Sequence, residues 1–141
     1  MKNQELLSAL LKTAQAGQVE IRSILDTAME PSLRCILQSQ LREYDAMETE
    51  ALTIALQRGW DLKALEPGIR FLTDRLTRFR LNRRNTDSRI AEIMIRKNTN
   101  AMISSYKHLH QYKGQDSQVC ILCQKMLDCE TAHIRRLHSY L

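Results

Sequence analysis

Apolar side chains recur along this chain at steps of three and four residues, the period of a helix buried on one face, in four long stretches. The first runs from about Asn3 to Met29, with Leu7, Leu10, Leu11, Ala14, Gly17, Ile21, Ile24, Leu25 and Ala28 on one stripe. Glu30-Pro31-Ser32 interrupts it, because the residue before a proline avoids helical geometry while Pro31 or Ser32 can open the next helix. The second stretch runs from about Ser32 to Arg58 through Leu33, Leu37, Gln40, Tyr44, Met47, Ala51 and Ile54, and Gly59 is placed to stop it. A third spans about Asp87 to Lys113, with Ile90, Ala91, Met94, Ile95, Ala101, Met102, Ser105, Leu109 and Tyr112 inward, and Gly114 closes it. The fourth, from about Asp116 to Leu141, turns Val119, Leu122, Cys123, Met126, Leu127, Glu130, Ile134, Leu137 and Leu141 inward.

The connections set the topology. Only a few residues separate the first stretch from the second and the third from the fourth, so each pair should form an antiparallel hairpin. Between Trp60 and Ser88 the chain reads differently: Glu66-Pro67-Gly68 is a break, Ile69, Leu72, Leu76 and Phe79 make a short helical stripe, and Asn85-Thr86-Asp87-Ser88 has turn and N-cap chemistry. A connection of this length can carry the chain back along the bundle. The expectation is an all-α, ferritin-like antiparallel four-helix bundle, one domain over residues 1–141, with a long crossover carrying a short extra helix between helices 2 and 3.

No apolar run approaches the roughly 20 residues that span a bilayer, so no membrane association is expected. The start, Met-Lys-Asn-Gln-Glu, lacks the charged-then-apolar layout of a secretory signal. The cytoplasm is the expected compartment, with Cys35, Cys120, Cys123 and Cys129 reduced. The net charge of +5 is unevenly placed, because Arg70, Arg75, Arg78, Arg80, Arg83 and Arg84 crowd into one short stretch. Such a patch can bind phosphates or an acidic partner. No interleaved aromatics or DNA-reading motif accompany it, so a solvated helix face is the simpler account and nucleic acid is not the expected partner.

All four stripes are interrupted at about mid-height. Gln15, Gln18 and Glu20 lie near the first midpoint, Gln40, Glu43, Tyr44 and Asp45 near the second, Lys97, Asn98 and Asn100 near the third, and Cys129, Glu130 and His133 near the fourth. Buried, these groups must find partners. Glu130-x-x-His133 puts a carboxylate and an imidazole on one helix face, where they could converge on a cation. A di-iron bundle needs a second such pair, and here the second helix offers Gln40-x-x-Glu43 instead. One divalent ion such as zinc, iron or manganese, held by Glu43, Glu130 and His133, is the metal alternative to a cofactor-free layer of Gln15, Gln18, Gln40, Tyr44 and Asn98 that fixes helix register. Cys120-x-x-Cys123 has redox or half-site spacing, but no thioredoxin-like strand pattern flanks it and Cys129 and His133 lie too far along the helix to complete a site, which favours a core role. There is no phosphate loop, nucleophile elbow or paired-carboxylate constellation.

Ala14-Gln15-Ala16-Gly17, Gln38-Ser39-Gln40-Leu41-Arg42-Glu43-Tyr44, Ile90-Ala91-Glu92-Ile93-Met94-Ile95 with Thr99 and Ala101-Met102-Ile103, and Glu130 through Leu141 follow one another in an order that resembles small bacterial proteins of the ferritin-like superfamily, near its spore-coat and domain-of-unknown-function branches. Those relatives carry a Gly-Ser-Thr run where this chain has Lys97-Asn98-Thr99, which adds bulk and charge at the polar layer. The resemblance implies the fold and no particular reaction. A non-enzymatic bundle is therefore expected, structural or partner-binding, working as a homo-oligomer or with a protein partner. Metal binding at mid-bundle and polyanion binding through the arginine-rich stretch are the alternatives.

Overall fold

The computed structural model describes residues 1–25, 27, 29–64 and 86–141. Among them are four α-helices, α1 (Asn3–Ile24), α2 (Pro31–Arg58), α3 (Thr86–Gln111) and α4 (Ser117–Leu137), the last running into a 3-10 turn at His138–Tyr140. None of these helices is long and apolar enough to cross a membrane. The arginine-rich stretch and the short helix expected within the crossover lie outside the described residues.

Helix boundaries follow the local chemistry. Pro31 opens α2 at a position where a missing N–H costs nothing, and Gly59 ends it in the left-handed conformation, φ 69°. Asp116 caps α4 by accepting hydrogen bonds from the backbone N–H groups of Gln118 (3.0 Å) and Val119 (3.3 Å). The same carboxylate pairs with the Arg58 guanidinium from the last turn of α2, which also reaches Gln118 Oε1 at 2.8 Å.

α1 corrects the sequence reading, since it stops at Ile24 and not near Met29. Two local bonds explain the early stop. Ser23 Oγ donates to the Glu20 carbonyl at 2.7 Å, and the Arg34 guanidinium reaches back from α2 to take the carbonyls of Leu25 and, at 3.1 Å, Thr27. Those carbonyls are satisfied without another helical turn. At the other end of the chain Leu141 is exposed and not inward, because the last turn tightens at His138.

Hydrogen bonds between helix ends fix the directions. The Met1 ammonium donates to the Gln111 carbonyl (2.7 Å) and Lys113 N–H donates to the Met1 carbonyl (3.0 Å), so the start of α1 meets the end of α3. Lys63 N–H donates to Ser8 Oγ (3.2 Å), which places the exit of α2 at that same end. At the opposite end Glu30 N–H donates to Asp87 Oδ2 (3.2 Å) and Tyr140 Oη donates to Ser32 Oγ (2.7 Å). α1 packs mainly on α2, and α3 mainly on α4, with α2 lying along α4 and α1 in lighter contact with α3. The result is two antiparallel hairpins side by side, with α2 and α3 parallel and joined by a crossover.

The core is filled by the expected stripes, including Leu7, Ile21, Leu33, Leu37, Ile90, Met94, Leu122 and Met126, all buried. Two helices approach closely at Gly17. A Cβ there would stand 2.5 Å from Cε2 of the Tyr44 ring, so only glycine lets that ring lie against α1. Gly17→Ala should therefore cost about 1–3 kcal/mol through overpacking, measured as a lower urea midpoint with an unchanged slope. An unaltered midpoint would show that the ring can move aside freely.

Candidate functional site

The mid-height polar layer is present and buried. Gln15, Gln18, Gln40, Tyr44, Asn98, Glu130 and His133 are all withdrawn from solvent, Glu130 and His133 completely. α2 supplies Tyr44, α3 supplies Asn98 and α4 supplies Glu130, while Gly17 of α1 leaves the room in which the tyrosine ring sits.

Tyr44 Oη stands 2.8 Å from Glu130 Oε1 and 3.2 Å from Asn98 Oδ1. A phenol has one proton and here faces two oxygens. Both contacts become hydrogen bonds if Glu130 is a carboxylic acid that donates to Tyr44, which in turn donates to the Asn98 carbonyl. The electrostatics agree. Burial pushes the Glu130 carboxyl up to about 8; the Tyr44 bond works against this, and the nearby charges of Glu20 and Glu43 add to it. The Tyr44 phenol is driven well above its ordinary value by burial first and Glu130 next, so it keeps its proton.

His133 and Glu43 form a second contact, between Nε2 and Oε2, with Arg136 Nη1 3.8 Å from the other carboxylate oxygen. Burial lowers the His133 pKa more than Glu43 raises it. A neutral ring then donates Nε2–H to Glu43, and Nδ1 is left as a buried acceptor without a partner. Its ring meets that of Tyr44 edge-on, with centroids 5.5 Å apart and planes at 79°. The two contacts are thus stacked, one through Tyr44 and one beside it.

A third pair closes the α1–α3 seam, with Lys97 Nζ 2.6 Å from Glu20 Oε1. Burial raises the Glu20 pKa and Lys97 partly restores it. Beside this pair is a cavity of about 140 Å³ lined by Thr13, Ala16, Gly17 and Glu20 of α1, Tyr44 of α2, Lys97, Asn98 and Ala101 of α3, and Glu130 of α4. Two of the lining residues have a buried polar atom with no protein partner, Nδ2 of Asn98 and Oε2 of Glu130.

The three residues expected to share a metal are brought to one region but used separately. His133 is on Glu43 and Glu130 is on Tyr44, and among the described residues no group of three or more His, Cys, Asp or Glu side chains is placed to hold a metal ion. All four cysteines are free. Burial holds the Cys123 thiol up at about 11, and burial with Glu43 holds Cys129 at about 11 as well, so both are protonated and poorly nucleophilic. Gln40 is fully buried, with neither side-chain atom partnered. The cavity and the Glu20–Lys97 pair were missed by sequence reasoning. Glu20 and Lys97 are 77 positions apart, and only the small residues Ala16, Gly17 and Ala101 at matching heights hinted at open space.

No known family model matches this chain, and no curated protein or solved structure matches it either.

The two buried groups act on stability in opposite directions. Glu130 has a raised pKa in the fold, so its contribution is fully present below about 4.5 and is lost as pH rises towards 8. His133 has a lowered pKa, so its contribution is present above about 6.5 and is lost as pH falls. Above pH 6.5 the Glu130 contribution outweighs that of His133. Unfolding free energy should fall by about 1–2 kcal/mol between pH 6.5 and 8, and Glu130→Gln should remove most of that slope in urea titrations. An equal slope in the variant would place the proton elsewhere.

Proposed function

We propose that the protein is a non-enzymatic helical-bundle module that acts through its surface, in a structural or partner-binding role, and that it self-associates. The observation carrying this reading is that the buried ionisable groups close on one another: Glu130 on Tyr44, His133 on Glu43 and Glu20 on Lys97. The protonated thiols of Cys123 and Cys129 add no nucleophile. Two hairpins joined by a crossover is also the helix order of ferritin-like bundles, which supports a place among them without implying their chemistry.

Self-association is favoured by Leu52 and Leu56, on successive turns of α2, both exposed and Leu56 84% so. Sedimentation equilibrium should give a mass above the 16.4 kDa of one chain, and Leu56→Glu should return it towards that value. A single-chain mass at every concentration would remove self-association from the reading.

A second reading, one divalent cation at Glu43, Glu130 and His133, draws on the contact between two of these residues and the unpartnered Oε2 of the third. Elemental analysis of protein purified without a chelating column decides between them. The surface reading expects trace metal, equal in wild type and His133→Ala. Near-stoichiometric zinc, iron or manganese that disappears with the substitution would establish the metal.

A further inference from the structure

At the end of the bundle where α1 begins, a cavity of about 570 Å³ opens between the first residues of α1, the exit of α2 and the connection from α3 to α4. That volume is in the range of small-molecule sites. Its apolar wall is Trp60 and Met1, both half-buried and packed against the core, with the bare backbone of Gly114 beside them. Trp60 is held in place. Its backbone N–H donates to the Ala55 carbonyl at 2.9 Å, and the Arg58 guanidinium lies 5.8 Å from the ring centroid, itself clamped by Asp116 and Gln118. The charge on the wall has one sign. Lys2 and Lys113 line the cavity and no aspartate or glutamate does. Neither lysine is ion-paired among the described residues. The two amide side chains of the lining are already engaged, Asn3 with the Tyr112 hydroxyl and Gln4 with the Asp61 carbonyl. Glu5 and Asp61 line the adjoining groove instead, which shares Lys2 and Gln4.

We propose that this cavity binds a small aromatic acid, a planar ring carrying one anionic group. The ring packs on the Trp60 indole and meets the Met1 thioether, both of which favour contact with an aromatic ring. The anionic group is attracted by the Lys2 and Lys113 ammonium groups, which have no competing carboxylate on this wall. A cation is repelled by the same two lysines, and an aliphatic acid has no flat face to offer the indole. Because Trp60 is fixed before the guest arrives, little ordering of the protein accompanies binding. This site goes beyond the surface role proposed above and does not depend on it, because a single chain contains every residue it needs and neither Leu52 nor Leu56 lines it.

Trp60 is the only tryptophan of the chain, so its indole N–H resonance and its fluorescence report on this cavity alone. The probe is benzoate, titrated into the full chain at low salt. A ligand of this size and ordinary efficiency binds with a Kd on the order of 1 mM, and saturable shifts in that range are expected. Benzamide, which lacks the charge, benzylammonium, which reverses it, and acetate, which lacks the ring, should each bind at least about tenfold more weakly. Lys2→Gln and Lys113→Gln are at exposed positions and should leave the rest of the spectrum in place while weakening benzoate about fivefold each. Added salt should weaken benzoate binding to the wild-type chain in the same direction. Shifts that rise linearly without saturating, an equal response to benzamide or benzylammonium, or indifference to both lysine substitutions would each overturn the proposal. None of these results bears on the mass measurement that tests self-association.

Discussion

A carboxyl group completely buried at mid-height in a helical bundle must either face an opposite charge or keep its proton, and much of this interior is arranged around the second solution. Among the described residues no cation is paired with Glu130. Lys97 is turned to Glu20, and Arg136 stands near Glu43. Glu130 is instead held by a phenol, and the phenol reaches it only because α1 has a glycine where the ring crosses. Three of the four helices are tied together at Tyr44 in this way, and the fourth makes room for it. Hydrogen bonding in such a dry setting is strong when complete and costly when not, so the proton on Glu130 is as much a structural component as any side chain.

How far the chain could be read depended on the range of the interaction. The stripes of α2 and α4 and the stop at Gly59 were legible because each is set by residues within a turn or two. The end of α1 was not, because its early stop depends on Arg34 arriving from the next helix. The polar layer was visible as interruptions in four stripes, but not its pairing. Spacing places Glu130 and His133 on one helix face, yet it cannot show that one turns to Tyr44 and the other to Glu43. That choice depends on where neighbouring helices stand, and it is why three residues with the chemistry of metal ligands are used in two separate contacts.

The layer is also asymmetric across the bundle. On the α2–α4 side it is closed by His133, Glu43 and the half-buried Cys129, with Arg136 above. On the α1–α3 side the helices touch more lightly, the walls are alanine and glycine, and a cavity remains. Bulky side chains and close helix contact go together here, as do short side chains and open volume, so residue size along two seams has divided one polar layer into a sealed half and an accessible half.

Asp116 has a bearing on how the two hairpins hold together. Its carboxylate serves the first turn of α4 and the last turn of α2 at once, through the Gln118 and Val119 amides on one side and Arg58 on the other. Fraying normally begins at helix ends, each independently of the rest. Here the beginning of one helix and the finish of another share an anchor across the boundary between hairpins, so loosening either end deprives the other of its partner. The first step of opening at that corner is therefore cooperative, and the hairpins are coupled where a bundle of this kind would otherwise begin to come apart.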